Sequence, residues 1–179
     1  RLIYLSSRGL TQDSPVDVTP DSTAKILTLP ALDEASPVYF LVLRLQDASG
    51  KLVGSNFYWL STKPETLDWE KSNWFTTPTS QFADYTALSK LPRVDLKTTN
   101  RTVQQGEESI THVTLENPSK SLAFFVHVKV SKTKGGAEIV PVVWEDNYVS
   151  LLPGEKRELT ASYRTSELGN AKPVVEVSG

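Results

Sequence analysis

His112 and His127 are the only imidazoles in the chain, and imidazole is the side chain most suited to moving protons or holding a metal near neutral pH. Each sits on the polar phase of a strand-like stretch with no third ligand beside it, so both read as solvated surface groups and no metal site is expected. With no cysteine, thiolate ligands, thiol nucleophiles and disulfides are all excluded. Carboxylates lie close together at Asp68 with Glu70 and at Glu145 with Asp146. Acid and base pairs for glycoside hydrolysis stand roughly 5 to 10 Å apart across a cleft on separate rigid elements, and near neighbours on one segment do not supply that arrangement. No serine lies in a GxSxG elbow and no GxxxxGK phosphate loop is present. The expectation is a chain with no catalytic residue and no cofactor.

Aromatic crowding is the feature that asks for a ligand. Trp59, Trp69, Trp74 and Phe75 fall close together, and a flat indole face stacks on the apolar CH surface of a sugar ring. Trp69 and Trp74 are therefore candidate substrate contacts; the competing role is to glue their segment to a neighbouring domain. Asn100-Arg101-Thr102 matches the N-glycosylation acceptor and makes Asn100 a candidate for modification, whereas proline blocks Asn117-Pro118-Ser119.

Composition narrows the partners. A net charge of −2 arises from 19 basic and 21 acidic residues that are interspersed rather than blocked, which leaves no basic face for nucleic acid. The longest apolar run, Val38 to Leu43, is far short of the roughly 20 residues of a membrane-spanning helix, so no membrane partner is expected.

The elements that must hold these residues are strands. Residues 2–7 and 24–29 are short and rich in β-formers, Val38 to Leu43 is apolar on both faces as a central strand would be, and Asp47-Ala48-Ser49-Gly50 turns the chain into 51–60. About four strands are too few for a sandwich of roughly seven, so 1–60 reads as an incomplete β-sandwich domain. From 61 to 92 no period is sustained, which predicts a long ordered connection with one helical turn near Asp84 to Ser89. Residues 93–179 hold seven strand candidates, at 94–99, 109–116, 122–131, 139–144, 148–152, 157–163 and 174–177, in the spacing of an immunoglobulin-like sandwich. Phe124, Val126, Val128 and Val130 are expected to point inward. Val142 to Glu155 reads as strand, corner, strand and Pro-Gly turn, the device by which a chain passes from one sheet to the other. The fold class is all-β, with two immunoglobulin-like domains joined by an aromatic-containing connection. The chain begins inside an apolar strand pattern without an initiator Met, which suggests a piece of a longer polypeptide.

The series SNFYWLS (55–61), LDW (67–69), FADYTAL (82–88) and DNYVSLLPGE (146–155) resembles the C-terminal immunoglobulin-like domains of glycoside hydrolase family 2. It is most similar to the branch of plant mannosylglycoprotein endo-β-mannosidases and exo-β-D-glucosaminidases, over nearly the whole chain. The resemblance implies a retaining hydrolase whose catalytic glutamates lie in a (β/α)8 barrel that this chain lacks, so no catalytic residue is carried over. It implies a glycan substrate, with the β-mannosidic linkage of N-glycan-derived glycopeptides as the leading reading and glucosaminides as the alternative. Because the plant enzymes occur as several polypeptides cut from one precursor, it also implies companion chains bearing the barrel, and a location in the secretory pathway or vacuole. A free-standing carbohydrate-binding or adhesion module is the rival from another class.

Overall fold

A computed structural model describes residues 2–4, 9–17, 19–29 and 36–179, with side chains from residue 11 onward. The chain divides into two compact units, Arg1–Leu91 and Pro92–Gly179. Regular structure is nearly all β, supplemented by two short 3₁₀ turns among the described residues.

In the first unit, β1 (Leu2–Tyr4), β2 (Gly9–Leu10), β3 (Val38–Gln46) and β4 (Leu52–Ser61) form an antiparallel sheet in the order β2-β1-β3-β4. The turn from β3 to β4 is tied by one side chain. The Asp47 carboxylate accepts hydrogen bonds from Ser49 N–H (2.9 Å), Ser49 Oγ (2.6 Å) and Lys51 N–H (3.0 Å), which hold its pKa below the usual carboxylate range. Val38, Phe40 and Val42 are buried on one face of β3, while Leu43 and Leu45 on the other phase are exposed. The central position expected for this strand is observed, but burial on both faces is not. The strand expected over 24–29 is absent: these residues have no regular structure and Ile26 is exposed. Strand preference is a matter of packing on a pleated neighbour rather than an intrinsic backbone bias, and among the described residues no strand pairs with them. Of the strand expected over 2–7, β1 covers the first three residues, and 5–7 lie outside the described residues.

Beyond β4 the chain makes a small two-stranded hairpin, β5 (Thr66–Leu67) with β6 (Thr79–Gln81), then the 3₁₀ turn Thr86–Lys90. The helical turn expected near 84–89 is therefore present. Asp84 starts it by accepting from Thr86 N–H at 2.9 Å and Thr86 Oγ1 at 2.7 Å.

The second unit carries all seven expected strands: β7 (Lys97–Gln105), β8 (Glu108–Glu116), β9 (Ala123–Ser131), β10 (Val143–Trp144), β11 (Val149–Leu151), β12 (Lys156–Arg164) and β13 (Val174–Ser178). They form a sandwich of two sheets, β10-β12-β8-β7 and β11-β9-β13. Alternation explains the core: Val113 and Leu115 of β8, Val126 and Val128 of β9, Leu151 of β11 and Leu159 of β12 meet in one buried cluster. Each such side chain contributes about 1.5–3 kcal/mol through burial.

The corner at 145–148 takes the chain from β10 in one sheet to β11 in the other, as its residues predicted. Trp144 closes it from inside, packing against both clusters of the core. Asn147 closes it from the edge: its side-chain amide donates to Val128 O (2.7 Å) and accepts from Val128 N–H (2.9 Å), standing in for a strand residue beside β9. At the following turn Gly154 adopts φ 75°, Glu155 N–H reaches Leu152 O (3.0 Å), and the Glu155 carboxylate accepts from Leu152 N–H (2.8 Å). A positive φ after proline is the geometry of a type II turn and is what glycine supplies there.

Phe124 departs from the expected alternation. Leu151 pairs with Ala123 and Val149 with Val126, so three steps along β9 face two along β11. This bulge turns Ala123 inward, leaves Phe124 half-buried and holds Phe125 at φ 54°.

Candidate functional site

Among the described residues, the most exposed aromatic side chains lie on the β5–β6 hairpin. Serine, threonine, asparagine and proline crowd the stretch SNWFTTPTS (72–80), and such residues bond to nearby backbone in preference to extending a ladder. Asp68 N–H reaches Pro78 O at 2.8 Å, closing the neck of the tip. Within it, Asn73 Oδ1 accepts from Phe75 N–H (2.8 Å) and Thr76 N–H (2.9 Å), while Asn73 N–H donates to Thr76 O (2.9 Å). Ser72 N–H reaches Trp69 O at 3.2 Å, and the hydroxyls of Ser72 and Thr77 share a bond of 2.7 Å. The Asp68 carboxylate caps the near side, taking Lys71 N–H at 3.2 Å and the Lys71 ammonium at 2.7 Å. In the stem, Gln81 Nε2 donates to Pro64 O at 2.8 Å and Ser80 Oγ to Thr66 O at 3.1 Å.

No aromatic side chain enters that network. Trp69 is 71% exposed, Phe75 77% and Trp74 96%, so both candidate contact residues lie on one tip with their rings in solvent. Trp74 and Phe75 have ring centroids 5.5 Å apart at 57°, too tilted to stack. Glu70, beside Trp69, is exposed as well. Trp59 is not part of this group: it sits on β4 opposite Phe40 in the sheet register. Phe82, which directly follows β6 at the stem end of the hairpin, is exposed as well and was not singled out from the sequence as a site residue.

The histidines are on different sheets. His112 lies on β8, its Nδ1 3.4 Å from Glu158 Oε1 of β12, and His127 on β9 stacks on Tyr148 with centroids 4.6 Å apart at 10°. Among the described residues, no group of three or more His, Asp and Glu side chains is placed to hold a metal. The adjacent carboxylates have structural partners: Asp68 pairs with Lys71, and Asp146 with Arg157. Glu176 is held below the usual carboxylate range chiefly by the Gly135 N–H at 2.8 Å, against the opposing effect of burial and with help from Lys129, and so pins the loop before β10. Asn100 is exposed on β7, at the edge of its sheet, and Thr102 of the same acceptor shares a hydroxyl hydrogen bond of 2.7 Å with Thr111.

What sequence reasoning missed in the second unit is an aromatic row. Phe125, Tyr148 and His127 are in successive ring contact, with Tyr148 at φ 53° and Phe125 also in the left-handed region. Nothing in the local spelling distinguishes these positions from ordinary strand residues.

Comparison with known proteins gives a consistent family. The family described as "Exo-beta-D-glucosaminidase Ig-fold domain" matches residues 74–179. An exo-β-D-glucosaminidase of Amycolatopsis orientalis is 43% identical over 159 residues, which is 87% of this chain and 15% of that protein. One of Arthroderma benhamiae is 37% identical over 179 residues, 99% of this chain and 20% of that protein. The crystal structure of Amycolatopsis orientalis exo-chitosanase CsxA superposes with a TM-score of 0.80 at 43% identity, covering 87% of this chain and 19% of that one. The chain thus spans 15–20% of the length of these curated relatives.

Two expectations are corrected by this. In these relatives the matching stretch is a fraction of one polypeptide, so companion chains bearing the barrel are not supported. The relatives carry the name of the glucosaminidase branch and come from bacteria and fungi, so the plant mannosidase reading, with its role in N-glycan degradation, draws no support from them.

Proposed function

The chain belongs to the family of exo-β-D-glucosaminidase Ig-fold domains, and from that premise we propose that it is a non-catalytic β-sandwich module of a glycoside hydrolase that releases glucosamine from the ends of β-linked glucosamine chains. The observation that carries this reading is the family match across the whole second unit. The chemistry of the chain is in keeping with it, because its conspicuous carboxylates are engaged in holding turns and loops: Glu155 at the Pro-Gly turn, Glu176 at Gly135, Asp146 on Arg157. A rigid sandwich of this kind positions and supports, while bond cleavage belongs to the remainder of the longer polypeptide. Trp69 and Trp74 are its candidate contacts with the glycan, a role that their exposure on one ordered tip supports.

The test is a substrate comparison on the longer polypeptide. Glucosamine oligomers are cleaved and a mannosyl-β-1,4-GlcNAc glycopeptide is left intact; cleavage of the glycopeptide alone would overturn the reading. Passage through the secretory pathway is part of the same proposal, supported by the exposed Asn100 acceptor. Protein from a eukaryotic secretory host loses mass on enzymatic removal of N-glycans, and Asn100→Gln abolishes that loss; an unmodified Asn100 would remove the support.

A further inference from the structure

Resting on that reading, we propose that the tip of the β5–β6 hairpin is a binding site for protonated amino sugars, in which Trp69 and Trp74 take the ammonium groups and CH faces of a glucosamine chain and Glu70 supplies counter-charge. Three observations converge on it. The tip is ordered by its own backbone, Asn73, Asp68 and Ser72–Thr77 hydrogen bonds, so its rings are not needed to fold it. Both indoles are nevertheless held in water, Trp74 almost completely. Because the backbone of the tip is already ordered, only the two side-chain torsions of each indole remain to be fixed on binding, which keeps the ordering cost of a few exposed contacts small.

Charge then selects the ligand. The one cation on the tip, Lys71, is bound 2.7 Å from Asp68 and so is already compensated. Glu70, next to Trp69 in the sequence, is exposed and adds negative charge to the tip. An indole face attracts a cation through its quadrupole, best of all the aromatic side chains, and the neighbouring carboxylate strengthens the same preference. A β-linked glucosamine chain offers both an ammonium on each ring and apolar CH faces. N-acetylation removes the charge and leaves the CH faces, so the two ligands separate charge recognition from simple stacking.

The experiment titrates the tryptophan fluorescence of the 179-residue chain, in low salt at weakly acid pH, with a glucosamine hexamer and with an N-acetylglucosamine hexamer. Saturable binding of the glucosamine hexamer is expected, about tenfold or more tighter than that of the acetylated one. Trp69→Ala and Trp74→Ala should each weaken it about tenfold, and Glu70→Gln should weaken it and flatten its salt dependence. Thermal unfolding should be unchanged in all three, because none of these side chains packs in a core. Equal binding of the two hexamers, or unaltered binding in both tryptophan variants, would overturn the site. So would protection of these indoles from a soluble quencher in the longer polypeptide, which would make the tip a contact between domains. Hydrolysis is read separately: if the longer polypeptide cleaves glucosaminides while the hexamer results fail, the module reading stands and the site falls. If it cleaves none, the module reading itself falls.

Discussion

A single buried amide decides much of how the second unit holds its edges. Asn117 is fully buried; its Nδ2 donates to Ser121 O (2.8 Å) and Leu151 O (3.0 Å), and its Oδ1 accepts from Ser119 N–H (3.0 Å) and Ser119 Oγ (2.8 Å). Its backbone joins the Pro-Gly turn, through Glu155 O and Gly154 N–H. Replacing it with alanine strands several polar groups inside the sandwich, each worth about 1–3 kcal/mol when left unpaired. Asn117→Ala should therefore lower stability by about 2–4 kcal/mol in denaturant unfolding; a loss well under about 1 kcal/mol would mean that water replaces the amide freely. The residues 117–119 are legible in the sequence as a turn and as a glycosylation acceptor blocked by proline, but not as a lock. The partners that make it one, Leu151 and Glu155, are more than thirty positions away. The exposure of Trp69 and Trp74 has a simpler reason: rings crowded into a stretch with no period cannot all be buried by it.

At the scale of elements, the pleat carried most of the information. Val126, Val128 and Val130 follow strict alternation and are buried, and the corner around Trp144 is where its polar turn implied. Val128→Asp places an unpaired charge at the centre of β9, between β11 and β13, and should unfold the second unit under conditions where the unsubstituted chain is folded. A cooperative transition at unchanged temperature, followed by near-ultraviolet circular dichroism, would contradict that placement. Phe124 is the instructive failure. A bulge adds one residue to one strand and inverts the phase beyond it, and since it depends on the register with β11, nothing in AFFVHV announces it. The segment 24–29 failed for a related reason, in that a short run rich in β-formers makes a strand only when another strand lies alongside.

For the whole molecule, fold class could be read from patterning because seven strands with polar turns leave few alternatives to a sandwich. Function could not, since on the proposed reading cleavage belongs to the remainder of the longer polypeptide; the resemblance to the hydrolase family came from the ordered motifs, and the preference for glucosaminides draws on the names of the relatives. That the sequence left mannosides and glucosaminides both open has a physical origin. A supporting sandwich is selected for packing and for the surfaces it offers, and those demands are alike whether the sugar released is mannose or glucosamine. Companion chains were inferred from the same motifs and fell once the relatives placed the matching stretch inside one long polypeptide.

The central claim is that this chain supports cleavage and does not perform it. Product analysis after incubating a glucosamine oligomer with the 179-residue chain, and in parallel with the longer polypeptide, addresses that most directly. The account predicts free glucosamine from the longer polypeptide and an unaltered oligomer with the chain alone; free glucosamine from the chain alone would contradict it.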